Sequence, residues 1–251
     1  MNNLKFYLWK GDCLEVMKDI PDGSVDLILT DPPYGTTNCK WDFVIPFEPM
    51  WEQLKRVIKP NGAIVLFGSE PFSSHLRLSN IKGYKYDWYW RKSRPSGFLD
   101  CKKKPLNDVE QLLVFNSKIY YPQGTKPCNV KSGRKTKKGE VYGGKVGEDY
   151  IQTVGNYPRR VLDFASVHNV GSHPTQKPVP LLEYLIKTYT QDGETVLDFT
   201  AGSFSTAIAC LNTNRNFIGI ELDDTYFDIG VNRIKEIIDS NNMNVDLTVK
   251  Y

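Results

Sequence analysis

The stretch "VDLILTDPPYGTT", Val25–Thr37, runs from a continuous apolar segment into an aspartate, two prolines and a tyrosine. Val25 to Thr30 reads as a buried strand, because a short apolar run bounded by turn residues suits a sheet covered on both faces. Pro32 and Pro33 cannot donate to a sheet ladder and hold the chain extended, so the strand stops there in a rigid tip. Such a tip aims side chains into a cleft. Asp31 offers a carboxylate acceptor, the carbonyl of Pro32 or Pro33 offers a second, and Tyr34 offers an aromatic face. An exocyclic amine on a nucleobase, with two N–H donors on a flat ring, matches that quartet.

Around this stretch, apolar runs alternate with amphipathic ones, the signature of β-α-β units and a largely parallel sheet. Leu4–Trp9 reads as a strand, "CLEVMKDI" as a short helix, Phe47–Ile58 as a helix and Ala63–Gly68 as a strand. The helix is expected to end at "KPNG", where Pro60 lacks an amide and Asn61-Gly62 signals a turn. Tyr84–Trp90 and Glu110–Phe115 are placed as an antiparallel pair across the basic loop "RKSRPSGFLDCKKKP". Periodicity then fades from Asn116 to Ser172, although "NYPRRVLDF" has enough apolar residues to dock. Alternation resumes with the "VPLLEYLIKTY" helix, "TVLDF" strand, "STAIACLN" helix, "NFIGIEL" strand and "TYFDIGVNRIKEIID" helix.

With 251 residues, the chain can form one large domain or a core carrying an insertion. No window approaches eighteen apolar residues, and "MNNLKFYLWKGD" has neither a basic n-region before an apolar run nor a cleavage site, so an unexported protein without a membrane is expected. The five scattered cysteines include no C-x-x-C pair. They read as reduced, structural thiols, and no metal site is expected. Charge is uneven: residues 91–165 hold 16 Lys and Arg against 7 Asp and Glu, a net +9, whereas the remainder carries −6. A basic segment in an acidic frame fits a module that meets phosphates.

A second motif, "TVLDFTAGSFSTAIAC", is an apolar strand ending at Asp198, a tight turn with Gly202, then a helix. Such a turn brings backbone amides close to a ligand, and Glu221, at the end of the following strand, is placed to accept from ribose hydroxyls. Together they describe a pocket for an adenosine-containing cofactor. The G-x-G-x-x-G spacing of a dinucleotide site is absent.

With "DPPY" (Asp31–Tyr34), "FTAGS" (Phe199–Ser203) and "HPTQKP" (His173–Pro178), the chain resembles the DNA amino-methyltransferase family, which methylates adenine N6 or cytosine N4 with S-adenosylmethionine. The motif order resembles the β-class permutation, and the match runs from "GDCLEVM" to "NFIGIELDDTYFDI". The resemblance implies an α/β fold: a Rossmann-like S-adenosylmethionine-dependent methyltransferase sheet in circularly permuted motif order, with an inserted basic target-recognition region. Residues 1–90 would form the N-terminal half of the catalytic domain and 173–251 its C-terminal half. Residues 91–172 would supply the edge strand, basic loop and inserted region.

By the same resemblance, Asp31, Pro32, Pro33 and Tyr34 act at the amine. Asp198, Gly202 and Ser203 hold the methionine end of the cofactor, Glu221 its ribose, and Asp12 approaches its adenine. Thr175 and Lys177 close the pocket from the side, and Cys13, Asp31, Phe199, Ala201 and Asp223 complete the cofactor set. The expected activity is methyl transfer to N6 of a flipped adenine in double-stranded DNA, in the cytoplasm of a bacterium or a phage-infected cell, with homodimer formation left open. Cytosine-N4 methylation and a DNA-binding relative that has lost catalysis are the alternatives. The family's usual second glycine is replaced by Phe204, which would either crowd the cofactor or pack under the helix start, and Val109 stands where a histidine is common.

Overall fold

The computed structural model describes residues 3–36, 42–132, 150–167 and 176–251. It forms two compact units, Met1–Tyr121 with Arg160–Tyr251, and Pro122–Arg159. The larger unit is built on strands β1 (Leu4–Lys10), β2 (Val25–Thr30), β3 (Ile58–Gly68), β4 (Tyr84–Ser96) and β5 (Asn107–Phe115). The smaller unit contributes an antiparallel hairpin, β6 (Lys126–Ser132) and β7 (Tyr150–Gly155). The larger unit then continues with β8 (Val161–Phe164), β9 (Thr195–Asp198), β10 (Asn216–Glu221) and β11 (Val245–Lys250). Its nine strands lie in the order β11-β1-β10-β9-β2-β3-β5-β4-β8. β5 runs antiparallel to both β3 and β4, and the other neighbours are parallel.

Strand alternation divides the apolar side chains between two faces. Leu27 and Leu29 of β2, with Val65 and Phe67 of β3, share one core with helices α4 (Val179–Tyr189), α5 (Ser205–Thr213) and α6 (Asp224–Ser240). Ile28, Ile64 and Leu66 share the other with α1 (Cys13–Val16), α2 (Phe47–Val57) and α3 (Phe72–Ser79). This two-sided cover explains why every residue of β2 is buried.

From β2 the chain proceeds through α2 to β3 on one side, whereas β9 proceeds through α5 to β10 on the other. Adjacent strands whose connections diverge leave a crevice beyond their carboxyl ends, and that crevice lies between β2 and β9. The sheet is therefore the mixed α/β, Rossmann-like one that the motifs implied.

Several elements differ from the expectation. The helix stops at Val57, and "KPNG" belongs to β3 as a bulge, since the register jumps from Val25↔Ile58 to Leu27↔Ala63. β4 continues through "RKSRPS" to Ser96, so the basic stretch is largely strand. α3, β11 and the β6–β7 hairpin were unforeseen, and "VLDF" docks as β8 beside β4.

Phe204 packs under the helix start. It adopts φ +58° at the α5 N-cap, is fully buried, and meets Phe217 and Phe227 at centroid distances of 6.2 and 5.9 Å. Two glycines make the room: a Cβ on Gly219 would lie 2.5 Å from the Phe204 ring, and one on Gly230 would lie 1.9 Å from it. Gly→Ala inside a helix ordinarily stabilises by about 1 kcal/mol. For Gly230→Ala in α6 the sign reverses, because Phe204 has no space to retreat. A net loss of about 3 kcal/mol, read by urea denaturation, is expected.

Candidate active site

The carboxyl ends of β1, β2, β9 and β10 border one cleft of about 820 Å³, a size suited to a small-molecule cofactor and the group it acts on. Asp12, Cys13, Asp31, Pro32, Pro33, Tyr34, Lys177, Asp198, Phe199, Ala201, Gly202, Ser203 and Glu221, thirteen of the residues singled out from sequence, line it. Asp223 does not; its carboxylate caps α6, accepting from the Thr225 and Tyr226 amides at 2.9 and 3.0 Å. Thr175 and His173 lie outside the described residues, as do Cys39 and most of "KSGRKTKKG".

β2 and β9 are tied together just above the crevice. The Thr30 hydroxyl donates to Asp198 Oδ1 at 3.1 Å, and the Thr200 hydroxyl donates to the Asp31 carbonyl at 2.9 Å. Beyond the prolines the tip is fixed by Asp42, whose carboxylate accepts from the Gly35 and Thr36 amides at 2.8 and 2.9 Å. Gly35, with φ +68°, lets the chain turn there.

The side chains at the tip form a closed network. The Tyr34 hydroxyl donates to Asp31 Oδ1 at 2.6 Å and lies 3.2 Å from Glu110 Oε1, while its ring stacks on Phe72 at 5.0 Å. The Lys177 ammonium pairs with Asp31 Oδ2 and, at 3.1 Å, with Glu110 Oε1, above the Phe67 ring. Burial pushes the Asp31 carboxyl above its ordinary range, and the Glu110 charge adds to the rise against the pull of Lys177. Burial also works to deprotonate Lys177, but the charges of Asp31 and Glu110 outweigh it and hold its pKa above the usual value. Tyr34 is raised well above its usual value by burial and then by the same two carboxylates.

Glu110 was not assigned from the sequence. It enters because β5 pairs antiparallel with β3 and β4, placing it opposite Trp90 at the cleft. An acidic residue at the entry of the apolar run "QLLVF" was the available signal.

On the cofactor side, Asp198 accepts from the Thr206 hydroxyl at 2.6 Å and the Thr200 amide at 3.3 Å as well as from Thr30. Burial nevertheless raises its pKa to about 7, with those bonds opposing the rise. Glu221, also raised by burial, accepts from the Gly202 and Asp223 amides at 2.7 and 2.8 Å. Gly202 has φ +53° and keeps the turn tight. Asp12 caps α1 through the Leu14 amide at 2.7 Å, and the Cys13 thiol is pushed up to about 12 by burial and then by Asp12. Four carboxylates, those of Asp12, Asp31, Asp198 and Glu221, thus rim a single cleft.

A Rossmann-like sheet with an acid-rimmed crevice at its switch point defines a nucleoside-cofactor enzyme of the transferase type. The family model described as DNA methylase, of the N6/N4 type, matches residues 25–232, and the chain belongs to that family. It is 31% identical to the type II methyltransferase M.BglII of Bacillus subtilis, over 94% of this chain and 70% of that one. The type II methyltransferase M.HpaI of Haemophilus parainfluenzae is 29% identical, over 89% and 72%. Among solved structures, the M1.HpyAVI–SAM complex superposes with TM-score 0.62 at 26% identity, covering 91% of this chain and 99% of that one. The cytosine-N4-specific PvuII DNA methyltransferase superposes at 0.65 with 18% identity, covering 98% and 96%, and so shares the fold.

Proposed function

We propose that this N6/N4 DNA methyltransferase moves a methyl group from S-adenosylmethionine to the exocyclic N6 amine of a flipped adenine in duplex DNA. The observation that carries this is the position of the Asp31 carboxylate at a proline-stiffened strand end, in one cleft with Asp198 and Glu221 on the neighbouring strands. The leading aspartate favours adenine over cytosine, because the family tends to carry serine there for cytosine.

The cofactor fits the residues present. A molecule bearing sulfonium and ammonium charges is the electrostatic complement of a cleft rimmed by carboxylates. Asp198, Gly202 and Ser203 would hold its amino-acid end, Glu221 its ribose and Asp12 its adenine. When bound, S-adenosylmethionine supplies an electrophilic methyl group.

The chain's own residues do the remainder. The amine's lone pair is delocalised into the ring and is a poor nucleophile. Asp31 and a carbonyl of Pro32 or Pro33 accept its two N–H groups, draw the lone pair back onto nitrogen, and Asp31 receives the proton that nitrogen sheds. Tyr34 must release Asp31 Oδ1 for this, and Glu110 is already in reach of its hydroxyl. Holding the reacting atoms in near-attack geometry offsets roughly 7–11 kcal/mol of barrier. Flipping costs a few kcal/mol, partly returned by stacking against an aromatic ring, about 1–3 kcal/mol.

Residues 91–172 would contribute target recognition, with their cations on phosphates. The enzyme would act in the cytoplasm of a bacterium or a phage-infected cell, singly or as a homodimer. Incubation with S-adenosylmethionine and mixed-sequence DNA, then digestion to nucleosides, tests the assignment. N6-methyladenine is the expected product; N4-methylcytosine would move the enzyme to the other branch, and no methylated nucleoside would leave a binding protein.

Cofactor binding should also depend on pH. A cationic ligand favours ionised Asp198, whose pKa without ligand is about 7, so binding at lower pH must expel a proton. Calorimetric affinity is expected to fall by up to about tenfold per pH unit below 7, and Asp198→Asn should flatten that slope.

A further inference from the structure

We infer that the tip of the β4–β5 hairpin is a DNA wedge: Phe98 and Leu99 enter the base stack where the extruded base has left it, with the neighbouring lysines on the flanking phosphates. This rests on the function proposed above. Lys92, Arg94, Pro95 and Ser96 of β4 line the active-site cleft, and Ser96 pairs with Asn107 of β5 to close the hairpin. Phe98 follows two residues later, so its Cα is within about 7 Å of a cleft-lining residue.

The tip is a built turn. Gly97 has φ +87°, Phe98–Asp100 form one 3-10 turn, and the Lys103 and Lys104 amides donate to the Asp100 carbonyl at 2.8 and 3.1 Å. This turn presents an apolar pair to water, Phe98 at 76% and Leu99 at 100% exposure. Residues 91–106 hold six Lys and Arg against one acidic residue, Asp100.

Apolar side chains at a rigid, cationic tip beside a nucleobase cleft have a matching partner in stacked bases behind a phosphate backbone. Extrusion leaves a gap in that stack, and an apolar wedge filling it opposes return of the base. An apolar groove on a protein would leave the lysines without a counterpart.

The test is the double variant Phe98→Ala/Leu99→Ala. Both side chains lie outside the core, so melting temperature and cofactor affinity should match wild type. With the methylated site mapped by sequencing, kcat/KM is measured on that duplex and on one whose target base is mismatched and already loosely stacked. The expected loss is about tenfold or more on the intact duplex, shrinking to within about threefold on the mismatched one.

Cys101, exposed beside the tip, gives a second readout. Its alkylation by a maleimide, located by mass spectrometry, should slow about fivefold or more on bound duplex as the tip is covered. Wild-type kcat/KM in the double variant on intact DNA, an equal loss on both duplexes, or unchanged Cys101 labelling on bound DNA each overturns the wedge. A wild-type enzyme that methylates neither duplex overturns the parent function and the wedge together, which separates that failure from the wedge's own.

Discussion

Asp31→Ala is expected to slow single-turnover methyl transfer by about 10³-fold while leaving the fold close to wild-type stability. The rate falls because the amine loses its anionic acceptor, the group that draws the lone pair back to nitrogen and takes the departing proton. Stability survives because of how the charges are counted. Asp31, Glu110 and Lys177 are two acids on one base, and removing Asp31 leaves the Lys177–Glu110 pair at 3.1 Å intact and balanced. Rapid-quench measurement with the variant saturated in cofactor and DNA reads the chemical step, and calorimetry reads the fold. A rate within a few-fold of wild type would remove Asp31 from the chemistry.

Lys177→Met should do the opposite, costing about 3–5 kcal/mol at pH 8 because two buried carboxylates are left facing each other without a cation. For a chain of this size that corresponds to roughly 10 °C or more in melting temperature. The pH dependence follows from the direction of the Asp31 shift. Its folded pKa is already raised, and loss of the lysine's opposing pull raises it further. A raised carboxylate contributes stability that is present below its unfolded pKa, near 4, and is lost as pH rises through the folded value. The melting-temperature deficit should therefore widen from pH 5 to pH 8. Activity moves with it: ionised Asp31 is required, so the acid limb of kcat/KM should climb by about one pH unit or more. An unaltered acid limb would mean that Lys177 and Asp31 do not titrate together.

The contrast between these variants marks what sequence can reveal about such a site. The strand ends were legible, because prolines 32 and 33, Gly202 and the acidic residues closing apolar runs are local punctuation. The network they join was not. Tyr34 and Glu110 are 76 residues apart, and Asp31 and Lys177 are 146 apart; register across the sheet, not local pattern, brings them together. Nor did the sequence indicate that the Tyr34 hydroxyl would occupy Asp31 Oδ1, since the same ring offers either a face to a base or a proton to a carboxylate.

Phe204 carried two readings for a similar reason. Its neighbours' lack of side chains, at Gly219 and Gly230, decides between them, and those glycines lie on other elements. The edge strand β11 was within reach, with Val245, Leu247 and Val249 alternating with polar residues, a period of two at half burial. The β6–β7 hairpin was not, because "KPCNVKS" contains a proline and lacks a clean apolar alternation.

The most direct measurement is a crystal structure of the enzyme with a non-reactive cofactor analogue and a duplex containing the methylated site. The expected result is an extruded base whose exocyclic nitrogen sits about 3 Å from Asp31, with the Tyr34 hydroxyl withdrawn toward Glu110. An extruded base held elsewhere, with Tyr34 still bonded to Asp31 and the carboxylate untouched by the amine, would contradict it.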